Sequence, residues 1–282
     1  MIPCLETISG IRTLLDEARA QGRAIGLVPT MGALHEGHLS LIRRACSENG
    51  LVVVSVFVNP TQFGLGEDLE VYPRGLKRDR ALAETAGADV VFGPSVAEMY
   101  PEGFSTWVEV EGLTAGLCGA ARPGHFRGVC TVVTKLLDVC RPERVYFGRK
   151  DAQQLAIVQR MVRDLNLEVE VVPCPTVREA DGLGISSRNA RLTAAERAQS
   201  PVIYRALRAA EESVRGGERD VRVLEALVRR VLAEADLLRV DYVEIVRADA
   251  LTPASMVSGE CLIAVAAWFG VTRLIDNIVV SV

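Results

Sequence analysis

Apolar positions along this chain follow two alternating rhythms. Short, nearly continuous apolar runs read as buried strands: Ala24–Pro29, LVVVSVFVN from Leu51, DVVFG from Asp89, RVYFG from Arg144 and VEVVP from Val169. Between them, apolar residues recur every third or fourth position over 8–20, 38–48, 76–87, 129–140 and 151–165, the spacing of helices with one buried face. Strands that alternate with helices predict an α/β fold with a doubly wound parallel sheet, whose ligands bind beyond the carboxyl ends of the strands. A looser stretch, rich in Gly and Pro from Gly93 to Gly128, interrupts the alternation. WVEVEG from Trp107 is its one strand-like run.

Near Ser187 the order of elements changes. TAAE, Thr193 to Glu196, carries the capping-box signature of a helix start, and two helical patterns follow, separated by GGERD at 216–220. Three strand-like runs close the chain: VDYVEIV, CLIAVAAWF and RLIDNIVVSV. Helices followed by strands predict a second, smaller α+β domain. We expect a division into 1–186 and 187–282.

Composition narrows the function classes. A net charge of -4 over 282 residues supplies no basic field, so nucleic acid is not expected as a partner. The apolar runs are too short to span a bilayer, and MIPCLETISG has neither a basic region nor a long apolar core. A cytoplasmic protein without a membrane partner is expected. Seven cysteines with no CxxC pair suit reduced thiols better than disulfides or a zinc site.

The chemistry concentrates in VPTMGALHEGHLSLIRRA, residues 28–45, which holds two of the three histidines. His35 and His38 stand at i and i+3, where a strand, a glycine-permitted turn and a helix meet. Three readings compete. As zinc ligands they lack the HExxH spacing, and His125 is the one remaining imidazole. As structural histidines they would be satisfied by turn carbonyls. As an anion site they combine imidazole donors, close backbone approach and the positive end of a helix dipole. Phosphate is the natural guest of the last.

HEGH resembles the HxGH signature of the nucleotidyltransferase superfamily, and PTMGALHEGHLSL as a whole resembles the pantoate–β-alanine ligase family (AMP-forming pantothenate synthetases). Further segments agree in order along nearly the whole chain: FVNPTQF at 57–63, EDLEVYPR at 67–74, GHFRGVCTVVTKLL at 124–137, DAQQL at 151–155, PTVREADGL at 175–183, SSRN at 186–189 and TRLIDNI at 272–278. The resemblance implies a Rossmann-like catalytic domain with a smaller C-terminal lid domain, and a homodimer. It also implies ATP-dependent condensation of pantoate with β-alanine through a pantoyl adenylate. Pantothenate, the precursor of coenzyme A, would form with release of AMP and pyrophosphate.

Residue by residue, the resemblance assigns ATP to Met31, Gly32, Ala33, Leu34, His35, Glu36, Gly37 and His38, and to Gly148, Arg149, Lys150 and Asp151. Val177, Ile185, Ser186, Ser187 and Arg188 complete that set. Catalysis would rest on His38, His35, Lys150 and Arg188. Pantoate would meet Gln62 and Gln154, and β-alanine would meet Gln62 and Tyr72. Asn59 and His125 are secondary candidates. Mg2+ would be held mainly by the ATP phosphates, with Asp79 and other carboxylates as candidates to touch it. On their own terms, Asn59 and Gln62 end an apolar strand and read equally as amides projected into a crevice or as a turn with solvated amides. Asp151 reads equally as a helix N-cap. Gly182 and Gly184 suit a mobile loop carrying Ser186 to Arg188. The chain departs from the family at Arg149, usually Glu, at Ala152, usually aromatic, and at Gly184 and Ile185, usually Ala and Met or Leu. Rival readings are a nucleotidylyltransferase, an aminoacyl-tRNA synthetase and a catalytically silent nucleotide-binding regulator.

Overall fold

The computed structural model describes residues 1–64 and 66–282. Two compact units make up the chain. One comprises Met1–Glu111, Arg122–Arg149 and Gln154–Pro175; the other comprises Gly112–Ala121, Lys150–Gln153 and Thr176–Val282.

The first unit is built on six parallel strands, β1 (Cys4–Leu5), β2 (Ile25–Thr30), β3 (Leu51–Val56), β4 (Val90–Phe92), β5 (Arg144–Gly148) and β6 (Glu170–Cys174), in the order β1-β4-β3-β2-β5-β6. β2 and β3 pair in register from Ile25↔Leu51 to Thr30↔Val56. The order runs outward from β2 to one side through β3 and β4, then restarts on the other side with β5 and β6. The switch point therefore lies between β2 and β5, where a parallel sheet opens its ligand crevice. β3 stops at Val56 because the chain must turn into Pro60, which has no N–H for a ladder.

The helices of this unit, with α5 of the second unit included to keep chain order, are α1 (Ile8–Ala20), α2 (Glu36–Glu48), α3 (Leu76–Thr85), α4 (Val96–Met99), α5 (Leu117–Ala121), α6 (His125–Cys140) and α7 (Ala152–Asp164). In α2, Leu39, Leu41, Ile42 and Ala45 bury one face in a core shared with Val28, Val52, Val54, Val91 and Tyr146. Ile42 is fully buried, and truncating such a side chain to Ala costs about 2–5 kcal/mol. α6 starts a turn earlier than its apolar spacing predicts, because Gly124, at φ 80, turns the chain directly into His125. WVEVEG forms no strand: the Val108 N–H donates to the Thr131 hydroxyl (3.0 Å) rather than to a neighbouring strand.

In the second unit α8 (Ala194–Gln199), α9 (Val202–Arg215) and α10 (Val221–Leu232) precede the antiparallel strands β7 (Leu238–Arg247), β8 (Glu260–Phe269) and β9 (Thr272–Ser281). Both bonds of the predicted capping box are made at α8, between Thr193 and Glu196. Ile203, Leu207, Leu224 and Val228 pack with Cys261, Ile263, Val265 and Ala267, the alternate residues of β8. The β8 residues between them, Leu262, Ala264 and Ala266, are buried as well. The segment Gly112–Ala121 contributes Cys118, whose thiol lies 3.3 Å from the Tyr242 hydroxyl and accepts from Arg273 (3.5 Å). All seven cysteines are free thiols, and no described helix is long and apolar enough to cross a membrane.

Candidate active site

β2 delivers the histidine loop. At its end the Thr30 hydroxyl donates to the Ser55 carbonyl (2.7 Å) and accepts the Gly32 N–H (3.1 Å), which bends the chain out of the sheet. Gly32 and Ala33 then take left-handed φ values of 82° and 51°. Glycine is obligatory at 32 for a second reason: a Cβ there would lie 2.8 Å from the Asp79 carboxylate. Asp79 explains the conformation of Ala33. Its two oxygens accept the Ala33 N–H (3.0 Å) and the Leu34 N–H (2.8 Å), and the side chain is 1 % exposed. Asp79, one of the carboxylates considered for magnesium, here holds the histidine loop, each of its oxygens accepting a backbone amide.

The loop ends at His35, the N-cap of α2, which makes no side-chain capping bond. His35 and His38 stack, with ring centroids 4.0 Å apart and planes 25° from parallel. Both rings are half-buried on the same side of the helix start. Glu36, also in the predicted set, turns its exposed carboxylate to Arg43. The bond from Arg43 holds that carboxyl below its ordinary range. What Glu36 offers the helix terminus is its backbone.

The turn after β3 builds a second cluster. Asn59 caps the single turn Pro60–Gln62, accepting from the Thr61 hydroxyl (2.8 Å), and it also accepts from the Tyr100 hydroxyl (2.8 Å). Its amide donates to the Gly128 carbonyl (3.1 Å) and to Gln62 Oε1 (3.0 Å). Asn59 is fully buried with donors and acceptor engaged. It neither projects into a crevice nor is solvated, the two readings of the sequence; it orients Gln62. With Oε1 held by Asn59, the Gln62 amide presents its N–H2 group as the donor. Gly128 on α6 makes this approach possible, since a Cβ there would stand 2.4 Å from the Thr61 carbonyl oxygen.

His125, at the first turn of α6, joins the same cluster. Its Nδ1 lies 2.8 Å from the Gln62 carbonyl oxygen, and its Nε2 lies 3.0 Å from Arg122. Arg122 also forms a two-pronged pair with Glu67. Burial opposes the charge of Glu67, but the bonds and charge of Arg122 outweigh it and leave the carboxyl below its usual range. A carbonyl can only accept and a guanidinium can only donate, so this setting selects the His125 tautomer with hydrogen on Nδ1. Tyr72 is buried against Phe63, with ring centroids 5.9 Å apart.

Past β5, Gly148 has neither a positive φ nor a neighbour within 4 Å of a Cβ built there. Among the described residues, neither backbone nor packing demands glycine at this position. Arg149–Asp151 form one tight turn before α7, on which Gln154 is half-buried. The Asp151 carboxylate is exposed and caps no described amide, so its N-cap reading is not realised.

In the second unit, Lys150 is half-buried and forms no ion pair among the described residues. Its backbone carbonyl accepts from Asn277 Nδ2 (2.7 Å). Val177 and Ile185 face each other in a short hairpin, where the Ile185 N–H donates to the Val177 carbonyl (3.0 Å). Arg178 anchors that hairpin through a two-pronged pair with Asp276 (2.5 and 3.0 Å) and by lying 3.8 Å over the Tyr204 ring. Ser186 caps the following turn, its hydroxyl accepting the Arg188 N–H (3.2 Å). Ser186, Ser187 and Arg188 therefore emerge from an anchored hairpin. Gly182 belongs to its tip, at φ 93 with a would-be Cβ 2.4 Å from Tyr204 Cδ1, so packing explains this glycine without motion.

Sequence reasoning missed the Asp79 clamp on the Ala33 and Leu34 amides, the Asn59–Gln62 bond, the Arg122–Glu67 pair, the Arg178–Asp276 pair and the Asn277–Lys150 bond. Each is a side chain gripping a residue three to 127 positions away. Only the Asn59–Gln62 spacing left a local trace.

Comparison with known proteins supplies the remaining observation. The family model for pantoate-beta-alanine ligase matches residues 3–279. A pantothenate synthetase of Heliobacterium modesticaldum is 55% identical over 278 residues, covering 99% of each chain. A crystal structure of pantothenate synthetase from Thermus thermophilus superimposes with a TM-score of 0.93 at 50% identity, covering 98% of this chain and 99% of that one. A pantoate-beta-alanine ligase from Francisella tularensis, solved with beta-gamma ATP and beta-alanine, gives 0.82 at 34% identity, covering 99% and 97%. With a full-length match in sequence and in fold, this chain belongs to the pantoate–β-alanine ligase family.

Proposed function

We propose that this enzyme condenses pantoate with β-alanine at the expense of ATP, giving pantothenate, AMP and pyrophosphate. Family membership over residues 3–279 supports the overall reaction. The observation that carries the chemistry is the stacked His35–His38 pair at an uncapped helix N-terminus beyond β2. A helix start with two imidazoles offers oriented N–H donors to phosphate oxygens, which suits ATP and the pyrophosphate that leaves it.

In the first step, a pantoate carboxylate oxygen attacks the α-phosphorus in line, and the bond to the pyrophosphate oxygen breaks. His38 stabilises charge on the leaving oxygens while His35 orients the phosphate. Lys150, Ser186, Ser187 and Arg188 are assigned to phosphate as well, on the strength of their donor chemistry. Gly148 fits this reading, since a glycine with no duty to the fold leaves its backbone open to a ligand. Gln62 donates its amide to pantoate, and Gln154 is the second pantoate residue. Catalysis here is placement plus neutralisation of developing charge. In the second step the β-alanine amine attacks the acyl carbon of the adenylate, and AMP departs. Tyr72 and Gln62 border the amine's position.

Magnesium enters with ATP on its phosphate oxygens, the amide-bound Asp79 being unsuited to it. A cytoplasmic homodimer is the remaining part of the proposal. Incubation with ATP, pantoate and β-alanine followed by mass spectrometry tests the reaction. Pantothenate and AMP in equal amounts are expected, and an adenylylated product that accumulates without AMP would replace this reading with that of a nucleotidylyltransferase.

A further inference from the structure

TRLIDNI, residues 272–278, is a motif for which the reaction scheme has no use. In the structure it forms the first seven residues of β9, with Asp276 opposite Val265 and Asn277 opposite Ala264 on β8. Both polar side chains are nearly inaccessible, at 5 % and 8 % exposure. Two adjacent buried polar residues in a strand point to opposite faces, so each needs its own partner. Asp276 finds Arg178 in the hairpin 177–185 and also accepts the Asn277 backbone N–H (2.8 Å). Asn277 reaches the Lys150 carbonyl, 127 residues earlier in the chain.

We propose that Asn277 is a positioning residue that sets Lys150 for phosphate binding by gripping its backbone carbonyl. The inference rests on the reading of Lys150 as a phosphate ligand. A bond to this carbonyl fixes the peptide plane between Lys150 and Asp151, and with it the directions in which both side chains leave the backbone. The long lysine stem carries several rotatable bonds, so a defined starting direction decides how often the ammonium is in place. Asp276, by holding Arg178, ties the segment leading to Ser186 and Arg188 to the same stretch of β9. One strand thereby serves both cationic segments of the second unit.

The test is a double-mutant cycle on the full-length enzyme. It reads pantoate-dependent exchange of labelled pyrophosphate into ATP, with thermal unfolding as a check on folding. Asn277→Asp is nearly the same shape but sets a carboxylate oxygen against the Lys150 carbonyl. It should lower the exchange rate about 10- to 100-fold, the scale of a buried acceptor left facing an acceptor. Lys150→Met should lower it at least as much. If Asn277 acts through Lys150, adding Asn277→Asp to Lys150→Met should cost less than about threefold more. Losses that multiply in the double variant would overturn the inference while leaving Lys150 a phosphate ligand. Full exchange by Asn277→Asp would overturn it too. Full exchange by Lys150→Met would overturn the reading of Lys150 itself. Should Asn277→Asp fail to fold, Asn277→Ala removes the donor without adding charge and enters the same cycle with the same expected non-additivity.

Discussion

Asp79→Asn isolates the device that shapes the histidine loop. The carboxylate accepts two backbone N–H groups, from Ala33 and Leu34, in a site that is 1 % exposed. Bonds from backbone amides to a charged acceptor contribute about 1.5–3 kcal/mol each. Asparagine keeps the shape and one acceptor oxygen, but its N–H2 group faces the other amide donor-to-donor. One charge-assisted bond is lost, one becomes an ordinary bond of about 1 kcal/mol, and a buried N–H is left facing a donor. Against this, a neutral amide is easier to bury than a carboxylate. The net cost to the loop conformation is about 2 kcal/mol. At 1.4 kcal/mol per factor of ten, this lowers the equilibrium constant for the correctly shaped loop about 30-fold. Exchange of labelled pyrophosphate into ATP should fall by up to that factor, and the unfolding temperature should drop by several degrees. Raising magnesium should restore nothing. Unchanged exchange would refute the clamp, and rescue by magnesium would return Asp79 to the metal.

Other substitutions probe separate parts of the site. His38→Ala should slow adenylation about 100-fold or more while ATP binding, measured by calorimetry, falls less; near-normal turnover would reduce the stacked pair to a structural turn. Gly184→Ala should fold and retain activity, since its Cβ would meet nothing closer than 3.8 Å, whereas Gly182→Ala should destabilise the hairpin against Tyr204; equal unfolding temperatures for the two would contradict the packing argument. Arg149→Glu should weaken ATP binding by an amount that shrinks as salt rises, and a loss independent of ionic strength would point to repacking instead.

The sequence exposes whatever is local. Alternating apolar runs gave the parallel sheet, and the i, i+3 histidines with their flanking glycine gave the helix-start anion site. TAAE gave a capping box whose two bonds are made within four residues. What stayed hidden depends on chain reversals that no spacing records. Asp79 resembles any charged residue in the first turn of a helix, yet it serves a loop 45 residues away. Asn59 looked like a ligand because polar residues at a strand end commonly are; burial by Gly128 and Tyr100 turned it inward. WVEVEG has the alternation of a strand but is not one, its Val108 N–H donating to the Thr131 hydroxyl, and alternation alone does not supply a ladder. Gly182 suggested mobility for want of sight of Tyr204, the residue that requires it.

The central claim is that pantoate is activated by adenylation before any amine takes part. Exchange of labelled pyrophosphate into ATP, followed with pantoate present and β-alanine absent, tests it most directly. Exchange should occur only when pantoate is added, AMP should accumulate only once β-alanine follows, and a single turnover without the amine should leave pantoyl adenylate bound to the enzyme. Full activity with all three substrates, but neither exchange nor bound adenylate without β-alanine, would contradict the stepwise mechanism.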